Sequence, residues 1–147
     1  MPLTEKEDIL NRGVEEIIVK SEFIDRLNSG QKMRLKMGFD PSAPDIHVGH
    51  AVGLRKLRQL QEIGHQVVLI VGDWTAQIGD PSGRSQTRNM LSIEEVHSNA
   101  QTYLDQFFKI VDKDRTEVRW QSEWYGPFTL TNVIELTSKF TVAQILA

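Results

Sequence analysis

The run Val67–Val71 constrains the fold of this chain more than any other part of its sequence. All five residues are apolar, four of them are β-branched, and no charged residue interrupts the run. A half-solvated strand alternates apolar and polar residues, whereas a uniformly apolar strand is typical of a parallel sheet covered on both faces. The run is also far shorter than the roughly 20 apolar residues that a membrane-spanning helix needs. The sequence therefore predicts a buried central strand of an open α/β sheet.

Two further strands and three helical patterns flank this run. In chain order the predicted elements are a strand over Lys32–Phe39, a helix from Val48 to Gly64, a helix over Ile93–Ile110, a strand over Thr116–Trp120 and a helical pattern over Phe128–Phe140. The first of these helices is predicted from an apolar stripe at Val48, Ala51, Val52, Leu57, Leu60 and Ile63. A capping box of Ser92 and Glu95 marks the start of the second. Alternating strands and helices predict a parallel sheet with right-handed crossovers, which binds ligands at the carboxyl ends of its strands.

The first 30 residues are predicted to form a separate helical segment. Thr4 and Glu7 make a capping box, and apolar residues then recur at spacings typical of one or two amphipathic helices. Asn28-Ser29-Gly30 is a helix-ending signal. We therefore expect helices over residues 1–30, followed by the α/β domain over residues 31–147.

Composition excludes several classes of function. The 147 residues include 39% hydrophobic and 25% charged residues and carry a net charge of −3, which fits one globular domain and excludes a polycation. The sequence has no cysteine, so disulfides, thiolate metal sites and cysteine nucleophiles are excluded. No stretch resembles a targeting signal, and we expect a soluble, cytoplasmic protein without membrane contacts.

The segment Asp40–His50 leads from the first predicted strand into a helix and carries the first candidate site. If the helix begins near His47, then His47 and His50 lie three residues apart on one face of its first turn. A helix N-terminus attracts phosphate, and two imidazoles could donate hydrogen bonds to it. Gly49 would let a ligand approach the backbone closely. The alternative is a helix cap with a pair of metal-binding histidines, for which no further ligands are evident.

Residues 79–89 are predicted to form a second loop at the same edge of the sheet. Asp80 follows the buried strand closely, so its carboxylate could receive an ammonium group. Arg84 and Arg88 lie on a segment rich in Gly and Ser and could close over a polyphosphate. The alternative is an ordinary solvated loop. The P-loop pattern and the Gly-x-Gly-x-x-Gly pattern are absent, which argues against a P-loop NTPase and a dinucleotide-binding fold.

Two other histidines are interpreted differently. His65 lies in the turn before the central strand, at the edge opposite the ligand, and is predicted to be structural. His97 lies on a helix flank and is predicted to be solvated.

At the two loops the sequence resembles the class I aminoacyl-tRNA synthetases, and within them the bacterial tyrosyl-tRNA synthetase family. His47-Val48-Gly49-His50 is similar to the family's His-Ile-Gly-His signature, with Val in place of Ile. Further segments that resemble the family are Gly38-Phe39-Asp40-Pro41-Ser42-Ala43, Gly64-His65-Gln66, Gly79-Asp80-Pro81-Ser82-Gly83-Arg84, Ser122-Glu123-Trp124 and Lys139-Phe140-Thr141-Val142. Together they imply a Rossmann-like sheet flanked by helices.

The resemblance also implies a reaction, namely ATP-dependent activation of L-tyrosine to tyrosyl-adenylate and transfer to tRNA(Tyr). The signature region spans Pro41, Ser42, Ala43, Pro44, Asp45, Ile46, His47, Val48, Gly49 and His50. The implied catalytic residues are Ser42, His47, His50, Arg84 and Arg88, and the implied ATP-binding residues are Gly38, Asp40, Ser42, His47, Gly49 and His50. The implied tyrosine-binding residues are Lys36, Ile70, Thr75 and Asp80. Mg²⁺ would come with ATP rather than from a protein site, and the family implies a homodimer.

Two positions depart from the usual family pattern. Many members have Tyr at the position of Lys36, to meet the substrate phenol, and Asn at the position of Ala143. Lys36 fits a second bacterial branch whose signature reads Lys-x-Gly-Phe-Asp-Pro. The sequence contains no Lys-Met-Ser-Lys-Ser loop, so residues 31–147 are expected to be the first half of the catalytic domain, inactive alone.

Three rival interpretations stand beside this one. A tryptophanyl-tRNA synthetase typically lacks the Phe-Asp-Pro and Gly-Asp-Pro-Ser-Gly segments that this chain contains. A noncatalytic half-domain would bind nucleotide or a partner protein. A nucleotidyltransferase with the same His-x-x-His geometry would bind ATP without preferring tyrosine.

Overall fold

The computed structural model describes residues 3–78 and 90–146, with side chains described for residues 7–78 and 90–144. The strands are β1 (Arg34–Phe39), β2 (Gln66–Val71) and β3 (Thr116–Trp120). The helices are α1 (Leu3–Asn11), α2 (Lys20–Asn28), α3 (Val48–Glu62), α4 (Thr75–Ile78), α5 (Ile93–Phe107), α6 (Ser122–Tyr125), α7 (Leu130–Thr137) and α8 (Val142–Leu146). The second predicted loop, residues 79–89, lies outside the described residues.

Three parallel strands form one sheet in the order β1-β2-β3, which confirms the predicted parallel α/β architecture. The central strand is β2, in which Val67, Leu69 and Val71 are fully buried. β1 begins at Arg34 rather than at Lys32, because Arg34 is the first residue that pairs with β2, opposite Gln66.

The core lies between one face of the sheet and the helices α3 and α5. Its buried residues are Phe39, Leu54, Leu57, Val67, Leu69, Val71, Ala100, Tyr103, Leu104, Phe107 and Val111. The intervening strand residues face the other side of the sheet. On that side the side chains of Arg34 and Glu117 form an ion pair at 2.7 Å across the central strand.

The extent predicted for α3 is confirmed, and its predicted apolar stripe is buried only in part. Val48 is 84% exposed and Val52 is 55% exposed, whereas Leu57 and Leu60 of the stripe are buried, together with Leu54. At about 100° per residue, Val48 and Val52 lie on the opposite side of the helix from Leu54 and Leu57. Gly64 follows the helix at φ +102°, as the helix-ending signal predicts.

The N-terminal segment forms two helices, with Gly13 at φ +67° just after the first. α1 begins at Leu3, so Thr4 lies inside the first turn and the predicted Thr4–Glu7 capping box is wrong. α2 ends at Asn28, as predicted. Lys56 Nζ donates hydrogen bonds to the carbonyl oxygens of residues 8 and 9, at 3.4 and 2.9 Å, and so holds the end of α1 against α3.

The Ser92–Glu95 capping box of α5 is confirmed. Ser92 N–H donates to Glu95 Oε2 at 2.8 Å, and Glu95 N–H donates to Ser92 Oγ at 3.2 Å. α5 ends at Phe107, three residues before its predicted end, and α7 covers only the middle of the pattern predicted over residues 128–140. Within the described ranges, every helix falls short of the length and apolarity that a membrane span demands.

Candidate active site

The carboxyl ends of all three strands meet at one edge of the sheet and bring three chain segments together. Gly72 N–H donates to Phe39 O at 2.8 Å, so β1 and β2 stay paired past the end of β2. Gln121 N–H donates to Val71 O at 3.0 Å and extends the pairing between β2 and β3. Such an edge is the usual ligand site of an open α/β sheet. Polar side chains from the three segments converge here.

His47 and His50 cap the first turn of α3. His47 is the N-cap residue, and its Nδ1 accepts a hydrogen bond from Gly49 N–H at 3.2 Å. His50 Nδ1 accepts a hydrogen bond from His47 N–H at 3.2 Å, and the two rings stack with centroids 4.0 Å apart. Because both Nδ1 atoms accept, the proton of each neutral ring resides on Nε2. Each ring can therefore donate an N–H to a ligand at the helix N-terminus.

Burial keeps His50 neutral near neutral pH. Its ring packs against Tyr103 and Phe107 of α5, at centroid distances of 5.8 and 6.4 Å. Burial lowers the pKa of His50, and the neighbouring His47 lowers it further. A Cβ atom at Gly49 would lie 2.9 Å from the His47 ring. Gly49 therefore makes room for the stacked ring, and the close approach of a ligand to its backbone stays a prediction.

Polar side chains of α5 hold the segment between β1 and α3. Asn99, Thr102 and Gln106 lie three and four residues apart and share one face of the helix. Their hydrogen bonds run from Asn99 Nδ2 to Pro41 O at 3.2 Å, from Thr102 Oγ1 to Pro44 O at 2.6 Å, from Gln106 Nε2 to Pro44 O at 3.1 Å and from Ile46 N–H to Gln106 Oε1 at 3.3 Å. These bonds determine the path of the segment that contains Ser42 and leads into His47.

A cluster of three polar side chains joins the strand ends. Thr75 Oγ1 lies 2.7 Å from Asp40 Oδ1 and 3.0 Å from Gln121 Oε1. Thr75 N–H also donates to Gln121 Oε1 at 3.2 Å. A Cβ atom at Gly72 would lie 1.9 Å from Asp40 Oδ1 and 2.6 Å from Thr75 Oγ1. Only glycine at position 72 leaves room for this cluster.

A cavity of about 270 Å³ opens at this edge, lined by Gly38, Phe39, Asp40, Ile70, Gly72 and Gln121. Gly38 and Ile70 pair across β1 and β2, and both lie on the sheet face opposite the core. Two larger hollows, of about 590 and about 820 Å³, lie along α3 and beside the start of β1. We assign the site to the smaller cavity because the polar side chains of three strand ends converge there.

The structure brings most of the sequence-assigned residues to this edge. Those at the strand-end cavity and cluster are Gly38, Asp40, Ile70 and Thr75, and those on the adjoining segment are Ser42, His47, Gly49 and His50. Lys36 lies two residues before Gly38 on the open sheet face and does not line the cavity. Asp80, Arg84 and Arg88 lie outside the described residues.

Sequence reasoning missed two residues of this edge. Gln121 follows the predicted strand Thr116–Trp120 directly, which was the available signal for its position. Asp73 is fully buried and accepts a hydrogen bond from Ser122 N–H at 2.9 Å. His97 is exposed, as predicted, and its ring packs on Trp120 with centroids 5.0 Å apart. Among the described residues, no group of three His, Cys, Asp or Glu side chains is arranged to hold a metal ion.

Comparison with known proteins identifies the family. The family model described as tRNA synthetases class I (W and Y) matches residues 28–147. The chain is 72% identical over 141 residues to a tyrosine–tRNA ligase of Dehalococcoides mccartyi (strain CBDB1), covering 96% of this chain and 36% of that protein. It is 55% identical over 142 residues to a tyrosine–tRNA ligase of Thermotoga maritima, covering 97% of this chain and 35% of that protein. The chain therefore spans about a third of the length of these curated relatives.

Solved structures share the Rossmann-like fold. A tyrosyl-tRNA synthetase from Archaeoglobus fulgidus, complexed with L-tyrosine, matches with a TM-score of 0.73 at 24% identity, covering 97% of this chain and 42% of that one. A tyrosyl-tRNA synthetase from Aeropyrum pernix matches with a TM-score of 0.70 at 21% identity, covering 95% of this chain and 41% of that one. Since the family model matches most of its length, this chain belongs to the class I tRNA synthetases of the tryptophan and tyrosine group.

Proposed function

We propose that this chain carries part of the active site of a tyrosine–tRNA ligase, which activates L-tyrosine with ATP and transfers it to tRNA(Tyr). The observation that carries the proposal is the start of α3, where the stacked rings of His47 and His50 cap a helix beside the strand-end cavity. Two relatives named tyrosine–tRNA ligase, at 72% and 55% identity, support tyrosine as the amino acid.

In the proposed first step a carboxylate oxygen of tyrosine attacks the α-phosphorus of ATP. A carboxyl oxygen–phosphorus bond forms, the bond from that phosphorus to the bridging oxygen breaks, and pyrophosphate leaves. Such a displacement needs positioning and neutralisation of charge more than covalent participation by the protein. In the second step a ribose hydroxyl of the terminal adenosine of tRNA attacks the tyrosyl carbonyl carbon, and AMP leaves.

We assign phosphate binding to the segment from β1 to α3. The Nε2–H groups of His47 and His50 and the hydroxyl of Ser42 would donate hydrogen bonds to the β- and γ-phosphates and to the transition state. The N-terminus of α3 adds positive potential at the same place. Arg84 and Arg88 would neutralise the leaving pyrophosphate, an assignment that rests on the family resemblance.

We assign amino-acid and adenylate binding to the strand ends. Gly38 and Asp40 would lie against the adenylate, and Ile70 and Thr75 would line the tyrosine pocket. The apolar Ile70 side chain is only partly buried, so part of it is open to a ligand ring. By resemblance, Asp80 would accept hydrogen bonds from the α-ammonium group of tyrosine. Lys36 is also assigned to tyrosine binding by resemblance, and it would lie on the same sheet face as the tyrosine side chain.

The proposal includes the remaining partners of the reaction. Mg²⁺ would enter with the phosphates of ATP, its usual mode of binding in nucleotide enzymes. A homodimer is supported by the apolar side chains of α7, since Leu130, Val133, Ile134 and Leu136 are between 43% and 74% exposed. The reaction belongs to protein synthesis, so the proposed compartment is the cytoplasm.

Exchange of pyrophosphate into ATP, measured on the protein at its full natural length, tests the proposal. We expect exchange that depends on tyrosine and is absent with tryptophan. His50→Ala removes one transition-state hydrogen-bond donor and should lower the exchange rate by about 100-fold or more. Gln101→Ala, on the exposed side of α5, is the matched control and should leave the rate unchanged.

Other outcomes would favour the rivals. Equal exchange with tryptophan would contradict tyrosine specificity. ATP binding without any amino-acid preference would favour a nucleotidyltransferase. A folded full-length protein that binds ATP but catalyses no exchange would favour a noncatalytic nucleotide-binding module.

A further inference from the structure

Asp73 is a buried carboxylate next to the candidate site. It lies between the end of β2 and the start of α4, and it is 0% exposed. Its Oδ1 accepts a hydrogen bond from Ser122 N–H at 2.9 Å, while its Oδ2 has no hydrogen bond within the described residues. Burying a carboxylate with an unpaired oxygen costs free energy.

His97 of α5 lies beside the unpaired oxygen. Its Nε2 is 3.9 Å from Asp73 Oδ2, which is an ion-pair distance when the imidazole is protonated. The His97 ring also packs on Trp120, the last residue of β3. His97 therefore contacts both strand ends that flank the amino-acid side of the cavity.

Asp73 connects the two residues that bridge these strand ends. Thr75 follows Asp73 by two residues and begins α4. On the other side, Ser122 follows Gln121 directly, so the bond from Ser122 N–H to Asp73 also determines where Gln121 lies. The Gln121 carboxamide in turn accepts from Thr75 N–H at 3.2 Å. A closed set of bonds thus links Asp73, Ser122, Gln121 and Thr75.

We propose that Asp73, with His97 beside it, is a positioning residue that orients Gln121 and Thr75 for binding of the amino acid. This inference rests on the proposed function, because it explains how the amino-acid side of that site is held in place. Asp73 is buried and acts through Gln121 and Thr75 rather than by touching the ligand. Binding of ATP, which is assigned to the segment from β1 to α3, should be weakened much less by a change at Asp73.

Three substitutions in the protein at its full natural length test the proposal. Asp73→Ala removes the acceptor for Ser122 N–H and should raise the KM for tyrosine about tenfold, with kcat and the KM for ATP within about twofold of wild type. Asp73→Asn keeps an oxygen that can accept the same bond and should restore most of the tyrosine affinity. His97→Ala should raise the KM for tyrosine by a smaller factor, about threefold, since it removes only the group beside Oδ2.

Asp112→Ala is the matched control. Asp112 Oδ1 likewise accepts a backbone N–H, that of Asp114 at 3.0 Å, but at the opposite edge of the sheet. This variant should leave both KM values unchanged. Circular dichroism and the thermal midpoint of each variant establish that it is folded.

Three results would overturn the inference. They are an unchanged KM for tyrosine in Asp73→Ala, an equal rise of both KM values, and an Asp73→Asn variant no better than Asp73→Ala. The proposed function fails separately, when the wild-type protein shows no tyrosine-dependent exchange. Normal wild-type exchange with an unaffected Asp73→Ala variant would reject the positioning role alone.

Discussion

Single residues at the strand ends build the site by leaving space. Gly72 leaves room for the Asp40 carboxylate and the Thr75 hydroxyl, and Gly49 leaves room for the stacked His47 ring. A methyl group at either position would occupy the place of a polar group. The polar cluster therefore depends on residues that contribute no polar side chain of their own.

Gly72→Ala should disrupt the cluster of Asp40, Thr75 and Gln121. The new Cβ atom would lie 1.9 Å from Asp40 Oδ1, so the carboxylate has to move and the bond from Thr75 is lost. We expect the Kd for tyrosine to rise by about tenfold or more, as measured by calorimetric titration. Gly53→Ala in α3 is the control, because the nearest atoms to its Cβ belong to the flexible end of Met37 and alanine favours the helix. Equal Kd values for the two variants would contradict this prediction.

His65, at the opposite edge of the sheet, confers a pH dependence on the start of β1. Its side chain is 5% exposed, its Nδ1 accepts from Met33 N–H at 3.3 Å, and burial lowers its pKa. The unfolded state binds a proton near pH 6.5, whereas the folded state binds one only at lower pH. The stabilisation of the start of β1 by neutral His65 is therefore complete above about pH 6.5, and it is lost as the pH falls through the lowered pKa of His65.

Hydrogen exchange at the Met33 amide measures this local effect. After correction for the intrinsic rate, protection should fall between pH 7.5 and pH 5, with a slope of at most about 1.4 kcal/mol per pH unit for one proton. His65→Asn keeps an acceptor for Met33 but does not titrate, so its protection should not depend on pH. Protection of the Met33 amide in the wild-type protein that likewise does not change with pH would refute the prediction. A local probe is needed because the pKa of His50 is lowered as well.

Among the elements, α5 supports both the core and the site. One face buries Val96, Ala100, Tyr103, Leu104 and Phe107, and a neighbouring face binds the segment between β1 and α3. The position of the α3 N-terminus thus depends on a helix that lies more than 40 residues later in the chain. The two helices would contribute to the proposed phosphate binding in different ways: α3 carries the imidazoles, and α5 determines where they lie.

Gln106→Leu should weaken ATP binding more than tyrosine binding. It removes the acceptor for Ile46 N–H and the donor to Pro44 O, while its volume preserves the packing of α5. The KM for ATP should rise about tenfold and the KM for tyrosine less than about threefold, in steady-state exchange assays. Gln101→Leu, whose partner is Asp105 on the exposed side of the same helix, serves as the control. An ATP KM equal to that of the control would disprove the role given to Gln106.

At the scale of the whole molecule, the two sides of the sheet differ. One face is covered by α3 and α5, whereas the other carries the charged side chains of Arg34, Glu117 and Arg119. Arg34 and Arg119 hold the pKa of Glu117 below its usual value, so this carboxylate stays charged. Apolar side chains are exposed instead on α7, beyond the sheet, which is where association is expected.

Ile134→Lys should weaken the proposed homodimer. Ile134 is 59% exposed on α7 in this chain, and lysine would place a charge in the proposed apolar interface. Sedimentation velocity of the full-length protein should show a dimer for wild type and a dissociation constant raised about 100-fold for the variant. Ile18→Lys, at an 84% exposed position between α1 and α2, should leave the dimer intact. A variant as dimeric as wild type would exclude α7 from the interface.

Much of the architecture and half of the candidate site follow from local patterns. The strand over Val67–Val71, the caps of α3 and α5 and the position of His47 and His50 are all set by residues close together in the chain. The apolar stripe of α3 was predicted only in part: Leu57 and Leu60 are buried, whereas Val48 and Val52 are exposed, because they are in phase with each other but not with the buried residues. Which of two apolar faces is buried depends on the sheet, and no local pattern records that.

The sequence by itself determined the parallel α/β fold, the edge proposed for ligand binding and the family signature, because each is recorded by residues close together in the chain. The tertiary structure alone decided the contacts between distant segments. Thr75 meets Gln121 across 46 positions, and Asp73 meets Ser122 across 49. Such contacts depend on strand register and helix packing, which arise only when the whole sheet assembles.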